Sequence, residues 1–338
     1  MDQNNSSFQV QRFCRQYFQL ERELDFPTAE YLRDEEVQRK ISFCINDPLR
    51  SHSGPPPRYK LRAIKELVSR IEASINDWDK YGVNEDFMEA LAEMMAAPLP
   101  SQDVEAQKRS YVTYHLSELQ NAAQGPEPTI TLLESRSLIS QAGTTGLRTW
   151  EAALHLGNYL CNNDSDIRGQ SVLELGAGTG YLSILAIKHL GAQRVIATDG
   201  SDEVINLLSD NFYLNGLQDN RDLVATALLW GHSIPKPEET EWGRLSPIDT
   251  VIGADITYDQ RVIPSLVATI TELRVHFPDL KIIISATQRN EETFQTFVGV
   301  CRNSGFNVEF MTYAGTLPAQ QTGPFYNTTV PIHIVRLN

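Results

Sequence analysis

The sequence of 338 residues lacks the apolar runs and cysteine pairs that mark membrane and secreted proteins. No run approaches the roughly 18 apolar residues that a membrane-spanning helix requires. The N-terminus is polar and has neither the basic nor the apolar region of a signal peptide, so we expect a cytoplasmic protein without a membrane partner. The four cysteines form no CxxC pair, which predicts reduced thiols and no metal site.

Basic residues are scarce relative to acidic ones. The chain has 29 Lys and Arg against 43 Asp and Glu, a formal net charge of -14. A negative field of this size opposes binding to a nucleic-acid backbone and favours a cationic partner or substrate. An acidic balance also serves solubility alone. The charge therefore predicts no direct contact with nucleic acid, and it is compatible with a basic protein substrate without demonstrating one.

Residues 1–100 are predicted to form a small helical domain. Apolar residues recur at helical spacing in residues 17–24, 28–45, 59–75 and 84–97. Residues 51–57, Ser-His-Ser-Gly-Pro-Pro-Pro, predict a loop, because three consecutive prolines cannot continue a helix. No catalytic constellation occurs in this part of the chain. We therefore expect it to serve substrate docking, with a packing element as the alternative. The clearest apolar stripe is Leu61, Ile64, Leu67, Val68 and Ile71.

Two further regions follow this domain. Residues 101–168 predict a connecting hairpin and helix region, in which the β-prone runs 111–116 and 129–133 flank a Gly-Pro-Glu-Pro turn at 125–128. In residues 169–338, strands alternate with helices, which predicts a seven-stranded, doubly wound, Rossmann-like α/β sheet. The last two strands are joined without a helix, so we expect the last one to be antiparallel. The predicted strands are residues 171–175, 194–198, 223–228, 250–253, 281–286, 307–312 and 329–337, and the predicted helices are residues 181–190, 203–214, 261–276 and 291–304.

A glycine-rich turn follows the first strand of this sheet. Glycines allow a sharp turn and let a ligand approach the backbone, and the N-terminus of the next helix offers free N–H groups. A dinucleotide fingerprint would require a glycine at position 181, where the chain has Tyr181. The spacing instead suits a cofactor without a pyrophosphate, whose methionine part is positively charged; a turn without a ligand is the alternative. The candidate cofactor-binding residues of this stretch are Glu174, Gly176, Ala177, Gly178 and Gly180.

Asp199 stands at the end of the next strand. A carboxylate at this position can accept two hydrogen bonds from a ribose diol and leaves no room for a 2′-phosphate. The alternative is a cap for the helix that begins near Ser201, since aspartate is a favoured N-cap. Asp199 follows the glycine turn by about 20 residues, which favours ribose binding.

The third and fourth strands also end in candidate site residues. Leu229 and Trp230 can flank a flat adenine ring, although a tryptophan is more often simply part of a core. Ala254 and Asp255 follow the fourth strand, and Tyr258 lies three residues beyond Asp255, so both can face the reacting centre. For Asp255 the alternative is a cap of the following helix. All these groups stand at carboxyl ends of strands, where open α/β sheets bind ligands.

Together these motifs resemble the lysine methyltransferases of the seven-β-strand class, in which an acidic-x-x-Tyr motif borders the acceptor lysine. Residues 143–154, Gly-Thr-Thr-Gly-Leu-Arg-Thr-Trp-Glu-Ala-Ala-Leu, and residues 287–293, Thr-Gln-Arg-Asn-Glu-Glu-Thr, resemble more specifically the eukaryotic elongation factor 2 lysine methyltransferases. The resemblance covers about residues 143–300. It implies S-adenosylmethionine as the cofactor, with Trp150 lining its pocket, Gly176 to Gly178 at the methionine part, Asp199 at the ribose, and Trp230 and Ala254 at the adenosine side.

The resemblance implies a protein-lysine N-methyltransferase whose protein partner is elongation factor 2. A lysine ammonium, with a pKa of about 10.4, has no lone pair, so the site must guide the cation and let it lose a proton. We expect Asp255 to attract and orient the lysine and Tyr258 to shape its channel, and we assign no general base. The alternatives are a methyltransferase for another protein, RNA or a small molecule, and a non-catalytic scaffold that keeps the cofactor fold. No Asn-Pro-Pro-Tyr motif of base methylation occurs.

Overall fold

The computed structural model describes residues 3–46, 54–122, 127–135, 145–234 and 247–338. The chain divides into two compact units. The helical unit comprises Met1–His115, Ser135–Ser137 and Thr322–Phe325, and the sheet unit comprises Leu116–Glu134, Leu138–Gln321 and Tyr326–Asn338. Parts of the predicted loop, turn and family motif, at residues 51–53, 125–126 and 143–144, lie outside the described residues. Among the helices in the described ranges, none is long and apolar enough to cross a bilayer.

In the described part of residues 3–115, the helical unit has six helices and one strand. Helix α3 is capped by Asp34, whose carboxylate accepts the backbone N–H groups of Glu36 and Val37, and such caps satisfy donors that a helix leaves free. The buried Gln38 side chain donates to the carbonyls of Leu32 and Gly82, at 2.9 and 3.0 Å. The elements are α1 (Gln3–Phe18), α2 (Ala29–Leu32), α3 (Glu35–Ile45), α4 (Pro57–Ser74), α5 (Glu85–Ala96), α6 (Gln102–Gln107) and β1 (Ser110–His115).

The predicted helices of this unit need two corrections. The helix expected at residues 17–24 is wrong, because α1 ends at Phe18 and the chain turns through Leu20 with a φ of 59°. Its apolar residues belong to the hydrophobic core of the unit, where Tyr17 and Phe18 are buried. The segment 28–45 forms two helices separated by Asp34, and α6 was not predicted. The apolar pattern therefore predicted correctly which residues are buried, but it did not predict where the helices begin and end.

The sheet unit contains the predicted seven-stranded sheet. The strand order is β5-β4-β3-β6-β7-β9-β8. Strands β3 to β7 are parallel, and β9 is antiparallel to both β7 and β8, as expected for the last strand. Helix α7 lies within residues 101–168, where the sequence predicts a helix without fixing its bounds. The elements are β2 (Thr129–Glu134), α7 (Glu151–Asn162), β3 (Ser171–Leu175), α8 (Tyr181–Ile184), β4 (Arg194–Asp199), α9 (Asp202–Leu214), β5 (Leu223–Ala227), β6 (Thr250–Ala254), α10 (Ile263–His276), β7 (Lys281–Thr287), α11 (Glu291–Asn303), β8 (Val308–Met311) and β9 (Ile332–Leu337).

Strand β3 lies at the centre of this sheet and sets the position of its neighbours. Every residue of β3 is buried, including Ser171 and Glu174, which explains why apolar residues do not simply alternate with polar ones along it. Its last residue, Leu175, pairs with Thr198 of β4 on one side and with Gly253 of β6 on the other. The chain thus leaves all three strands at one level of the same edge.

Asn211 of α9 supports the glycine turn from behind. Its side chain is fully buried, and its amide nitrogen donates to the Thr179 carbonyl at 2.8 Å. Its amide oxygen accepts the backbone N–H of Leu133 at 2.7 Å. One side chain therefore satisfies a carbonyl beside the glycine turn and an amide of β2.

We predict that Asn211→Ala lowers the free energy of unfolding by roughly 2–4 kcal/mol, because the buried Thr179 carbonyl and the half-buried Leu133 N–H lose their hydrogen-bond partner. Urea unfolding followed by circular dichroism measures the change. The control is Asn303→Ala, at the exposed end of α11, where we expect a change within about 0.5 kcal/mol. Equal midpoints for the two variants would contradict the role of Asn211.

Candidate active site

A cavity of about 430 Å³ opens at the carboxyl edge of the sheet. The chain reaches it from the ends of β3, β4, β5 and β6, as expected for a ligand site in a parallel sheet. Gly180 is the one predicted site residue that does not line it. The predicted residues that do are Trp150, Glu174, Gly176, Ala177, Gly178, Asp199, Leu229, Trp230, Ala254, Asp255 and Tyr258.

Gly178 and Gly180 of the glycine turn leave no room for a side chain, and the atoms that exclude it differ between the two. Gly178 has a φ of 53°, and a Cβ there would lie 3.1 Å from the carbonyl oxygen of Gly146. A side chain at this position would therefore press on the backbone of Gly146, which also lines the cavity. Gly180 has a φ of 82°, and a Cβ there would lie 2.7 Å from Leu208 Cδ2. The third glycine is thus required by packing against α9, whereas the first two border the cavity.

Asp199 is tied to the glycine turn by its own carboxylate. Oδ2 accepts the N–H of Gly178 at 3.2 Å, and Oδ1 accepts the N–H of Ser201 at 3.1 Å. Burial raises the pKa of the Asp199 carboxyl, while the hydrogen bonds from Gly178 and Ser201 lower it. Ser201 is the N-cap of α9, so Asp199 bonds to the cap residue and not to the first turn of the helix. The carboxylate is held in place and still borders the cavity.

Glu174 is the most perturbed acid of the site. It is 3% exposed on β3 and accepts a hydrogen bond from the Ser183 hydroxyl. Burial raises the pKa of the Glu174 carboxyl to about 8, the Ser183 hydrogen bond lowers it, and the nearby Asp199 carboxylate raises it further. A carboxyl in this state carries a proton through much of the neutral range.

Two tryptophans border the cavity from different elements. Trp230 is partly buried against the core below the sheet, and a Cβ at Gly176 would lie 3.4 Å from its Cζ2 atom. Trp150 precedes α7, and its indole N–H donates to the Thr145 carbonyl at 3.0 Å. Leu229 borders the cavity with 55% of its surface exposed. Flat apolar walls of this kind suit an aromatic ligand group.

Asp255 is held by the end of the neighbouring strand. Its backbone has a φ of 53°, and its side chain is 6% exposed. Oδ1 accepts the N–H of Thr287 at 2.9 Å, and Oδ2 accepts the Thr287 hydroxyl at 3.1 Å and an Arg289 N–H at 3.2 Å. Helix α10 begins only at Ile263. The alternative that Asp255 caps this helix is therefore wrong, since the carboxylate binds the end of β7.

Tyr258 stands between two depressions of the surface. Its side chain is 55% exposed and lines the main cavity together with Asp255. It also lines a smaller pocket of about 60 Å³ that includes Arg289 and Asn290. A tyrosine in this position can form one wall of a narrow channel that leads to the main cavity.

Sequence reasoning missed a group of charged residues around Asp255. Arg289 Nη2 donates to Glu151 Oε2 at 2.9 Å as well as to Asp255. The guanidinium carbons of Arg148 and Arg289 each lie 5.0 Å from the centre of the Trp150 ring. In the sequence, Arg148, Glu151 and Arg289 stand within the family motifs, but no role was predicted for any of them. Arg289 follows the end of β7 at the same sheet edge, so the criterion that found Asp199 and Asp255 also applies to it.

Comparisons with known proteins agree on one family. A family model described as lysine methyltransferase matches residues 133–302. Protein-lysine N-methyltransferase EFM3 of Chaetomium thermophilum is 52% identical over 329 residues, which are 97% of this chain and 97% of that protein. EFM3 of Saccharomyces cerevisiae is 34% identical over 198 residues, 54% of this chain and 56% of that protein. Protein-lysine N-methyltransferase EEF2KMT of Homo sapiens is 29% identical over 302 residues, 84% of this chain and 81% of that protein.

We predict that Glu174 makes the stability of the ligand-free protein depend on pH. Its folded-state pKa of about 8 lies above the usual value, so its stabilising contribution is complete below the unfolded pKa and is lost as the pH rises through about 8. Glu174→Gln keeps an acceptor for Ser183 and removes the titration. The melting temperature of the variant should therefore fall less between pH 5 and pH 8 than that of the wild type, a difference worth up to several kcal/mol.

Exposed Glu292→Gln is the matched control for this prediction, and it should retain the slope of the wild type. Parallel pH profiles for wild type and Glu174→Gln would contradict the protonated state of Glu174.

Proposed function

Because the chain belongs to the lysine methyltransferase family, we propose that its substrate is a lysine of translation elongation factor 2. Its activity is protein-lysine N-methylation, and its methyl donor is S-adenosylmethionine. We further propose which residues of this chain hold the methyl donor and the acceptor lysine. It also puts the enzyme in the cytoplasm, where translation takes place.

Two observations support elongation factor 2 as the substrate. The human relative EEF2KMT has elongation factor 2 in its name and is similar over 84% of this chain. The run Thr145-Gly146-Leu147-Arg148-Thr149-Trp150 and the stretch after β7 belong to the motifs that resemble this subgroup. In the sheet unit, Thr145, Gly146, Arg148, Thr149 and Trp150 line the main cavity, so the motif contributes directly to the site. The net charge of -14 is compatible with a basic target surface.

The residues at the sheet edge fit S-adenosylmethionine. A cavity of about 430 Å³ has the size of a small-molecule site. We propose that the methionine part lies against Gly176, Ala177 and Gly178, none of which carries a side chain larger than a methyl group. Asp199 would accept hydrogen bonds from the ribose, and Glu174 lines the same wall. Leu229, Trp230 and Ala254 would enclose the adenine, and Trp150 would close the cavity from the other side. When bound, the cofactor supplies a methyl group made electrophilic by a positive sulfonium.

Asp255 and Tyr258 are the proposed acceptor site. Both line the cavity at the side that adjoins the smaller pocket, so a lysine side chain that passes Tyr258 reaches the reacting centre. Methyl transfer to an amine needs the nitrogen to be aligned with the methyl carbon, and alignment is the main task of these residues. Because Asp255 is fixed at three contacts by Thr287 and Arg289, its carboxylate keeps one orientation. Tyr258 is exposed and adapts to the incoming chain.

We propose that the helical unit contributes to recognition of the protein substrate. Its described residues carry no part of the main cavity, whose lining residues all belong to the sheet unit. Large apolar side chains are exposed on it, among them Phe43 at 77%, Trp78 at 62% and Met95 at 67%. Exposed aromatic and methionine side chains are common in protein interfaces.

We predict that Asp199→Ala weakens binding of S-adenosylmethionine by roughly 1.5–3 kcal/mol, because it removes charge-assisted hydrogen bonds to the ribose. Calorimetry at fixed pH measures the affinity. Asp202→Ala is the control, since Asp202 is exposed three residues along the chain and does not line the cavity. Equal affinities for the two variants would contradict the ribose assignment, and the melting temperature of the ligand-free proteins shows whether the glycine turn has kept its fold.

We predict that the purified protein transfers methyl groups from labelled S-adenosylmethionine to purified elongation factor 2, with the label on a lysine by mass spectrometry. Asp255→Asn should reduce the rate by about 100-fold or more, the scale of a lost positioning interaction. The asparagine NH₂ group cannot accept hydrogen bonds from Arg289 and the Thr287 hydroxyl. Cofactor affinity should be unchanged.

Exposed Asp279→Asn serves as the control for charge, and we expect it to be as active as the wild type. Labelling of another protein in ribonuclease-treated lysate, with none on elongation factor 2, would contradict the proposed substrate. Label that disappears on ribonuclease treatment would indicate an RNA acceptor. A fully active Asp255→Asn enzyme would contradict the role of Asp255.

A further inference from the structure

Arg289 connects the proposed acceptor site to the wall of the cofactor cavity. One nitrogen, Nη2, contacts Glu151 Oε2 at 2.9 Å and Asp255 Oδ2 at 3.2 Å. Its guanidinium also lies over the Trp150 ring, at 5.0 Å from the ring centre. Arg289, which lies between β7 and α11, thus connects the start of α7 to the end of β6. It is also part of the smaller pocket that Tyr258 borders.

The four charges at this point balance one another. Two carboxylates, Glu151 and Asp255, face two guanidiniums, Arg148 and Arg289. Arg148 lies 3.7 Å from Glu151 and over the same tryptophan ring. Guanidiniums do not lose their protons in proteins, so this positive charge is permanent. The cluster is therefore neutral before any substrate arrives.

Because the charges of this cluster balance, a lysine that reaches Asp255 does not meet a net negative charge. Of the two carboxylate oxygens, Oδ1 is bonded to the Thr287 backbone, and Oδ2 already accepts two donors. An arriving ammonium adds a positive charge to a neutral cluster that already contains two guanidiniums. Nearby positive charge disfavours the ammonium relative to the neutral amine. The reaction requires the neutral amine, because only its lone pair can form the new bond.

We propose that Arg289 is a positioning residue that fixes the Asp255 carboxylate and offsets its charge, so that the acceptor lysine is held at the reacting centre as a neutral amine. This inference rests on the proposed role of Asp255 and Tyr258 as the acceptor site. The lysine ammonium releases its proton to solvent. Its nitrogen lone pair then forms the N–C bond while the C–S bond breaks and leaves its electron pair on sulfur. Arg289 takes no part in the bond changes.

Other titratable groups at the same sheet edge set the background for a pH test. Glu174, with a pKa of about 8, faces the same cavity from β3. It is present in every variant below, so only the difference between two pH profiles reports on Arg289. Asp259 and Arg261 neutralise each other at 2.6 Å. Within the described ranges, the remaining charged or titratable groups at these strand ends and on the elements beside them are Asp199, His232, Tyr258, Glu291, Glu292 and His333.

The test compares the pH dependence of kcat on elongation factor 2 for the wild type, Arg289→Gln and Arg289→Lys, since kcat reports groups in the substrate complex. For Arg289→Gln we expect the rising limb to move up by about one pH unit. This corresponds to a rate about tenfold lower at a fixed pH on the limb and recovery at alkaline pH. KM should not rise. Arg289→Lys restores the charge and should return the limb toward the wild-type position.

A second readout does not depend on turnover. Calorimetry of elongation factor 2 binding, in buffers of different ionisation enthalpy, counts the protons released on binding. At a pH just below the lysine pKa, the wild type should release more protons than Arg289→Gln. Arg302→Gln is the matched control, because it removes an exposed positive charge from the last turn of α11, and it should match the wild type in both measurements.

The outcomes separate the two proposals. An Arg289→Gln enzyme whose kcat is reduced by the same factor at every pH, with unchanged proton release, would show a merely structural role and overturn this inference. A wild-type enzyme that neither binds nor methylates elongation factor 2 would contradict the proposed function, and the inference would fall with it.

Discussion

The backbone ladder that holds β3 between β4 and β6 determines the position of the whole site. Leu175 pairs with both Thr198 and Gly253, so the next residues of the three chains, Gly176, Asp199 and Ala254, emerge at one level. A shift of one residue in either pairing would turn side chains of that strand to the opposite face of the sheet. Because β3 is buried on both faces, the packing of its apolar residues opposes such a shift. The geometry of the cavity therefore depends on the backbone hydrogen bonds between β3 and its two neighbouring strands.

Around this frame, buried polar side chains fix the loops. The Thr149 hydroxyl donates to Glu134 Oε1 at 2.7 Å and lies 2.6 Å from the Thr179 hydroxyl, which joins the family motif to the glycine turn. Asn211 bonds the same turn from α9. Polar contacts also hold Asp255 in place at the end of β6. Its left-handed backbone is unfavourable for a residue with a side chain, by roughly 1–2 kcal/mol. The N–H bond to the Ser285 carbonyl and the contacts with Thr287 and Arg289 offset this strain.

The charges of the site follow from the same arrangement. Glu174 and Asp199 stand on adjacent strands, and burial raises the pKa of both carboxyls. Asp255 is paired with Arg289, so its part of the cavity carries balanced charge, whereas the part beside the glycine turn carries the buried acids Glu174 and Asp199. A single sheet edge therefore offers two electrostatic environments.

The sequence by itself determined the sheet unit and most of the cavity wall. Apolar runs located its seven strands, because burial on both faces of a parallel sheet leaves a strong local pattern. The glycine spacing and the residues at strand ends identified Gly176, Asp199, Trp230 and Asp255, because a parallel sheet brings its carboxyl ends to one edge. These inferences needed only residues that are neighbours along the chain.

Only the tertiary structure decided the rest. The helix expected at residues 17–24 is instead the end of α1 and a turn, because core packing and not periodicity ends that helix. Gly180 serves packing against Leu208, a contact that spans 28 positions of the chain. Above all, the sequence left Asp255 free to cap a helix or to face the substrate, and the structure bonds it to Thr287 and Arg289. Residues so far apart meet only through the pairing of β6 with β7, and no local pattern records that pairing.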